Sequence, residues 1–190
     1  MQALKALGFY RRAIKTLEQA NQILKVQPVS TIKASGLRSL GDVLQLVGNL
    51  DRAEQVLQQS LEITRQDKST DIHSEILLSL GNLARLQQNT KGALEFYQQA
   101  NATAISNRAK MQALLNWFSL LAETNDTAAA QSLLPQIQTQ IVLLPSNRDT
   151  VYANINFANS LMQFQHRLNA STTPNGLLSR IETANISAAA

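Results

Sequence analysis

The sequence of 190 residues contains no cysteine, only four prolines and seven glycines, and aromatic residues make up 5% of it. The absence of cysteine excludes disulfide bonds, thiol nucleophiles and cysteine-ligated zinc. It also fits a reducing compartment, so the cytoplasm is the expected location. Charged residues are few, at 16%, and no apolar run approaches the ~18 residues that a membrane-spanning helix needs. We therefore expect no membrane partner, and solubility depends largely on the 35 glutamine and asparagine side chains.

Sustained alternation of apolar and polar residues is missing as well, so β-strands are not predicted. Apolar residues instead recur at three- and four-residue steps, for example at Leu37, Leu40 and Leu44. This spacing is typical of amphipathic helices. Turn signals such as Gly48-Asn49 interrupt the helices at short intervals. The sequence thus predicts an all-α protein in which short turns alternate with longer connections.

One segment of the chain occurs twice. The sequences SLGDVLQLVGNLDRAEQVLQQS at 39–60 and SLGNLARLQQNTKGALEFYQQA at 79–100 are identical at eight positions. A glycine inside a helix costs about 1 kcal/mol relative to alanine, so its recurrence as Gly41 and Gly81 predicts that a second helix crosses close by. That second helix carries a small, a large and a small residue in turn: Ala53, Leu57 and Ser60 in one copy, and Ala93, Tyr97 and Ala100 in the other.

This pattern resembles the tetratricopeptide repeat, a pair of antiparallel helices marked by Leu-Gly in the first helix and by alanines around an aromatic residue in the second. The resemblance is clearest over 34–66 and 74–104. It implies an all-α fold, a right-handed α-solenoid that forms one domain over 1–190. The units are expected at about 1–27 (partial), 30–66, 72–105, 108–143 and 147–187. Because the first unit lacks most of one helix, we expect a piece of a longer chain.

A repeat period longer than the family's usual one, the glutamine-rich helices and the run LLPSNRDTVYANINFANSLMQ resemble one subgroup more closely. These are the repeat arms of bacterial proteins, mostly cyanobacterial, that carry a caspase-like CHAT peptidase domain. The resemblance includes no catalytic residue. It implies an alternative function, in which this chain is the regulatory or substrate-recognition arm of such a peptidase. A third alternative is a structural spacer or oligomerisation unit that self-associates through exposed solenoid ends.

Residues that catalyse reactions do not cluster in the sequence. The two histidines, His73 and His166, fall in different units, and a structural role is expected for both. Asp71 is expected to cap the helix that contains His73. The sequence has no glycine-rich phosphate loop and no grouping of metal ligands. We therefore expect no enzymatic activity, no metal and no cofactor.

Residues 1–40 are basic, with seven lysines and arginines against one acid, which is one mark of a nucleic-acid site. The repeat alignment argues against this interpretation. Tyr10 falls on the core position of Leu50, and Arg11-Arg12 fall on a turn. A solvated face, or a face that meets an acidic neighbour, is favoured, and no nucleic-acid partner is expected.

Tetratricopeptide arrays usually bind a protein or peptide on the concave face, which the first helix of each pair lines. The carboxylate-binding set of one family variant is absent, because Asp42, Ser79, Met111 and Leu115 occupy its positions. Helical phase gives the expected partner-binding residues: Arg38, Asp42, Gln45, Leu78, Asn82, Arg85, Leu114, Phe118, Leu121, Tyr152, Ile155, Asn159 and Met162.

The helix KMQALLNWFSLLAE is apolar on almost every side, and two interpretations remain open. The first is burial on both sides, by its partner helix and by the next unit. The second is a hydrophobic trough on the concave face at Leu114, Phe118 and Leu121, extended by Ile155 and Met162, which would accept an amphipathic helix or an apolar peptide.

Overall fold

The structure is a computed structural model that describes residues 2–26, 30–65, 71–145 and 148–171. Within these ranges the chain forms eight α-helices and no β-strand, so the all-α prediction is confirmed. The second half of the expected last unit, 147–187, lies outside the described residues. The helices are α1 (Gln2–Lys25), α2 (Thr31–Leu46), α3 (Leu50–Thr64), α4 (Asp71–Leu86), α5 (Thr90–Thr103), α6 (Asn107–Glu123), α7 (Thr127–Leu143) and α8 (Arg148–Ser171).

The chain divides into two compact units, Met1–Trp117 and Phe118–Ala190. The first unit contains α1 to α5 and the larger part of α6. The second contains the end of α6 with α7 and α8.

Two antiparallel helix pairs form the centre of the first unit, and a glycine brings each pair together. A Cβ atom on Gly41 of α2 would lie 2.5 Å from Cγ of Leu57 in α3. A Cβ atom on Gly81 of α4 would likewise lie 2.5 Å from the ring of Tyr97 in α5. Because non-bonded carbon atoms prefer separations of about 3.5–4.0 Å, only glycine fits without movement. The predicted close crossing is confirmed in both pairs.

A serine hydroxyl also joins the two helices of each pair. In the first pair Ser60 of α3 donates to the backbone carbonyl of Ala34 in α2, at 2.6 Å. In the second pair Ser74 of α4 donates to the carbonyl of Ala100 in α5, at 3.0 Å. Ser74 is the repeat equivalent of Ala34, and Ala100 is the repeat equivalent of Ser60. The two pairs have therefore exchanged donor and acceptor helices while keeping one buried hydrogen bond.

The short turn inside each pair uses one backbone geometry. Gly48, Gln88 and Asn125 have φ angles of 78°, 62° and 60°, and each lies just after a first helix. The next residue donates its N–H to a carbonyl five residues earlier: Asn49 to Leu44, Asn89 to Ala84 and Asp126 to Leu121, at 2.8–3.0 Å. This is the Schellman ending of a helix, which favours glycine at the left-handed position.

The histidine of α4 is part of the core. His73 is buried, and its Nδ1 lies 2.9 Å from the hydroxyl of Thr64, which is also buried. This contact joins the end of α3 to the start of α4. His73 thus has the expected structural role.

The cap predicted at Asp71 is wrong. Asp71 is itself the first residue of α4, and its Oδ1 accepts hydrogen bonds from the backbone N–H groups of Ile105 and Ser106, at 2.8 and 3.0 Å. The carboxylate therefore fixes the link that leads into α6. Burial raises the pKa of Asp71, but the hydrogen bonds from Ser106 and Ile105 and the charge of Arg108 outweigh it, so the pKa lies below its ordinary value.

The core of the second unit is aromatic. The ring of Phe118 makes edge contacts with the rings of Phe157 and Phe164 in α8, at centroid distances of 5.8 and 5.6 Å. All three side chains are buried. Aromatic pairs in this geometry contribute about 0.5–1.5 kcal/mol beyond their buried area.

Candidate partner-binding groove

A groove of about 1070 Å³ crosses α2, α4 and α6 in the first unit. We call it the groove below. Every expected binding residue on α2 and α4 lines it. The full lining is Arg38, Asp42, Gln45 and Leu46 of α2; Glu75, Leu78, Ser79, Asn82, Arg85 and Leu86 of α4; and Arg108, Ala109, Gln112 and Asn116 of α6.

A row of alternating charges spans the three helices at one edge of the groove. Arg38 contacts Asp42 at 2.9 Å on its own helix and Glu75 of α4 at 3.4 Å. Glu75 also contacts Arg108 of α6, at 3.1 Å. The charges in this row cancel, and Arg85 leaves one positive charge in excess among the lining residues. The row therefore links the three helices, and its charges contribute little to the net electrostatic potential of the groove.

The carboxyl of Asp42 has an unusual environment within this row. Burial raises its pKa above the ordinary value, and the charge of Glu75 acts in the same direction. A hydrogen bond from Ser79 and the charge of Arg38 oppose the rise without cancelling it. The carboxylate form is thus disfavoured here relative to water. The folded chain holds this proton more tightly than the unfolded chain, so the contribution of Asp42 to stability falls as the pH rises from the ordinary pKa through the raised one.

A chain of side-chain hydrogen bonds runs along the middle of the groove. Nε2 of Gln112 donates to Oδ1 of Asn116, and Nδ2 of Asn116 donates to Oδ1 of Asn82, both at 3.1 Å. The hydroxyl of Tyr97 donates to the same Oδ1 of Asn82, at 2.8 Å. Both lone pairs of that oxygen are therefore used. The amide of Asn82 is held in one orientation, with its Nδ2 donors unbonded to any described residue.

Two leucines line the other end of the helices. Leu46 of α2 and Leu86 of α4 stand at equivalent positions of the repeat, and both are exposed. Leu78, another residue expected on this surface, lines the groove but is largely buried. Nearby, Nε2 of Gln45 donates to the backbone carbonyl of Ser79, at 3.1 Å, so a side chain also ties α2 to α4.

The predicted hydrophobic trough on α6 is wrong. Leu114, Phe118 and Leu121 are 2%, 0% and 3% exposed, so they belong to the core, as the first interpretation of this helix had it. Gln112 and Asn116 line the groove in their place. In the observed register Ser119 of α6 is the equivalent of Asn82, because the turns that follow α4 and α6 align Gln88 with Asn125 and Asn89 with Asp126.

That register explains the error. The sequence alignment places Trp117 opposite Gly81, whereas the turns that follow the two helices place Phe118 there. A shift of one residue turns a helix by about 100°, which moves the expected binding face toward the core. The signal that could have given the register is Asp126, which caps the next helix as Asn89 does.

The remaining expected residues lie on α8, in the second unit. Tyr152, Ile155, Asn159 and Met162 are all exposed. They share one side of α8, while Phe157, Leu161 and Phe164 on the other side are buried. Their role in binding stays a prediction.

Metal-binding and membrane-spanning features are both missing from the part of the chain that the structure describes. No three His, Cys, Asp or Glu side chains there lie close enough together to hold a metal ion. Among the described helices, none is long and apolar enough to cross a membrane.

Known proteins resemble this chain in sequence and in fold. The tetratricopeptide repeat family matches residues 33–104, and no curated protein matches the chain in sequence. A kinesin light chain-like protein from Podosopora anserina with nearly identical TPR-like repeats superposes with a TM-score of 0.68 at 15% identity, over 98% of this chain and 92% of that protein. BtubC (BKLC) from P. vanneervenii superposes with a TM-score of 0.64 at 16% identity, over 74% of this chain. The match spans 61% of the length of BtubC.

Proposed function

We propose that this chain, whose residues 33–104 are tetratricopeptide repeats in a TPR-like solenoid fold, binds an extended segment of a protein partner in the groove, without catalysis of its own. The fold generally mediates protein–protein interaction. The proposal assigns the contact to α2, α4 and the first part of α6.

The orientation of the amides carries this proposal. Asn82 offers Nδ2 as a donor, because its oxygen is used by Tyr97 and Asn116. Gln112 offers Oε1 as an acceptor, because its nitrogen is used by Asn116. An extended polypeptide presents both a carbonyl and an N–H at each residue. A fixed donor and a fixed acceptor on neighbouring helices match that backbone without demanding a particular side chain.

The contacts between helices support the same proposal, because they hold the groove in one shape before a partner arrives. Gln45 bonds to the backbone of α4, Arg38 and Arg108 both pair with Glu75, and Asn116 bonds to Asn82. A preorganised surface loses less conformational freedom on binding, and affinity rises accordingly. Side chains of the partner would meet Leu46 and Leu86 at one end of the helices.

The test is a selection of short random peptides displayed on phage against the immobilised chain. Selected peptides are then titrated against two groove variants, Asn82→Ala and Arg85→Glu. The matched controls are Gln98→Ala and Arg65→Glu, which change exposed residues of α5 and of the end of α3 outside the groove. We expect Asn82→Ala to weaken binding about tenfold, the effect of one or two lost hydrogen bonds. Equal binding to all four variants contradicts the proposal.

The finer alternatives stay predictions. An arm of a CHAT-type peptidase, a structural spacer and a cytoplasmic location all derive from the sequence alone. Size measurement of the native protein in its source cells, with mass-spectrometric coverage of the captured band, tests the first of these.

A further inference from the structure

Two exposed leucines recur along the groove. Leu46 of α2 and Leu86 of α4 occupy equivalent positions of the repeat, and they are 65% and 55% exposed. Each comes four residues after a polar side chain that also lines the groove, Asp42 in α2 and Asn82 in α4. Residues four apart share one face of a helix. Each of the two helices therefore presents the same pair to the groove, a polar side chain and, one turn later, an exposed leucine.

The distance between the two pairs follows from the contact between α2 and α4. The side chains of Asp42 and Ser79 share a hydrogen bond, and the repeat equivalent of Ser79 in α2 is Ser39. The two helices are therefore displaced along their axes by about three residues, or about 4.5 Å. The axes of packed helices lie about 8–10 Å apart. Equivalent positions such as Leu46 and Leu86 are thus separated by about 9–11 Å.

This spacing distinguishes among the regular conformations of a partner segment. In polyproline II, side chains on one side recur every three residues, about 9 Å apart. In a β-strand they recur at two and four residues, about 7 Å and 13 Å apart, so one distance is too short and the other too long. Polyproline II is the extended conformation that matches.

An α-helix also has a matching repeat, because residues seven apart are separated by about 10.5 Å. Its backbone groups, however, are bonded to one another. The amides of Asn82 and Gln112 are held as a donor and an acceptor for an open backbone, and a helix would leave both without a backbone partner. The polar side chains of the groove therefore favour the extended segment over the helix.

We propose that the partner segment binds the groove in the polyproline II conformation, with aliphatic side chains at positions i and i+3 against Leu46 and Leu86. This inference rests on the function proposed for the groove and names the class of segment that the groove accepts. A polyproline II segment has no internal hydrogen bonds, so its carbonyls are available to Nδ2 of Asn82.

The lining of the groove also indicates which residues occupy the contact positions. Proline-rich segments usually bind to grooves lined by aromatic side chains, and none of the described residues that line this groove is aromatic. Leucine or valine, rather than proline, is therefore expected at positions i and i+3. Prolines between these positions would favour the bound conformation before binding, which lowers the entropic cost.

Two peptides of identical composition test the spacing. The peptide SPLPSLPS has its leucines three positions apart, and SPLPLSPS has them two positions apart. Prolines favour polyproline II in both. Each peptide carries a fluorescent label and is titrated against the full chain by fluorescence anisotropy. We expect SPLPSLPS to bind at least about fivefold more tightly, because only its leucines can contact both groove leucines at once.

Three variants of the chain locate the contact. Leu46→Ser and Leu86→Ser each remove one groove leucine. Ile105→Ser is the matched control, because Ile105 is 55% exposed, as Leu86 is, and lies outside the groove. We expect each groove variant to weaken binding of SPLPSLPS about fivefold and to remove most of its advantage over SPLPLSPS. The control should change binding less than about twofold, and circular dichroism checks that all three variants fold.

Equal affinity for the two peptides overturns the inference, and so does an equal loss of binding in the groove variants and in Ile105→Ser. Tighter binding of SPLPLSPS also overturns it and would assign a β-strand conformation to the partner. If neither peptide binds, the inference is wrong, and the phage selection alone decides the function of the groove. If Asn82→Ala weakens the selected peptides while Leu46→Ser and Leu86→Ser do not, the proposed function holds and this inference fails.

Discussion

The first helices α2, α4 and α6 carry different residues at the positions that the repeat makes equivalent. Leu44 in α2, Ala84 in α4 and Leu121 in α6 occupy one position, and all three are buried. The glycine of α2 and α4 is replaced by Phe118 in α6. The same positions are therefore buried in all three helices, but the size of the side chain at each position differs. Each helix must therefore pack against neighbouring side chains that match its own in size. Substitutions at equivalent positions test this.

The largest effect is expected at Phe118. Phe118→Ser removes a buried ring and its edge contacts with Phe157 and Phe164, and it buries a hydroxyl. We expect the free energy of unfolding to fall by about 3–5 kcal/mol, as for other large-to-small core changes. Urea denaturation followed by circular dichroism measures it. Gln112→Ser on the exposed side of the same helix is the control and should cost less than about 0.5 kcal/mol. If both variants were equally stable, Phe118 would not be a core residue.

The two clearest pairs differ in how rigidly they hold their glycine. Gly81 faces the flat ring of Tyr97, and Gly41 faces the flexible side chain of Leu57. Alanine gains about 1 kcal/mol in helix propensity over glycine, but overpacking costs about 1–3 kcal/mol. We expect Gly81→Ala to destabilise by about 2 kcal/mol and Gly41→Ala by about 1 kcal/mol or less, since a leucine can change rotamer and a ring cannot change shape.

Thermal and urea unfolding of both glycine variants measures the difference. Tyr97→Leu in the Gly81→Ala background makes the second pair resemble the first, and it should recover part of the loss. An equal loss in the two pairs would show that ring rigidity does not decide the outcome.

The sequence predicted much of this architecture, and the reason for its largest error is physical. Gly41 and Gly81 indicated the helix crossings. The predicted orientation of α2 and α4 was accurate enough that the residues expected to bind a partner line the groove. In α6 the apolar residues occupy most sides of the helix, so hydrophobic periodicity did not determine its phase. The register is given by the turn after α6, where Asp126 rather than Asn125 caps the next helix as Asn89 does. Asparagine and aspartate both suit a helix cap, so the sequence alone allowed either register.

The exchanged serines test whether a buried hydrogen bond can move from helix to helix at no cost. Ser60→Ala should lower the free energy of unfolding by about 1 kcal/mol, because the hydrogen bond to Ala34 is lost. The double variant with Ala34→Ser copies the arrangement of Ser74 and Ala100. We expect it to recover stability to within about 0.5 kcal/mol of the natural chain.

Unfolding curves of the two single variants and the double variant form a complete cycle. Additive losses in the double variant, with no recovery, would mean that the direction of the hydrogen bond is fixed by the packing of each pair.

The smallest effect concerns the turns within the pairs. Gln88 adopts a φ of 62°, where the equivalent residue of the preceding pair is Gly48 with a φ of 78°. A left-handed conformation costs a residue with a Cβ atom about 1 kcal/mol or more, and glycine avoids that strain. Glycine also makes the unfolded chain more flexible, which costs about 0.4–1 kcal/mol. Because the strain exceeds this entropic cost, Gln88→Gly should raise the free energy of unfolding by about 0.5 kcal/mol.

The reverse change in the preceding pair completes the comparison. Gly48→Ala introduces the strain that Gln88 already carries, so the free energy of unfolding should fall by about 1 kcal/mol. Opposite shifts of the urea midpoint in the two variants would show that the turns share one backbone requirement. A stability loss in Gln88→Gly would instead mean that the side chain of Gln88 compensates for its conformation, and each turn would then depend on its own contacts.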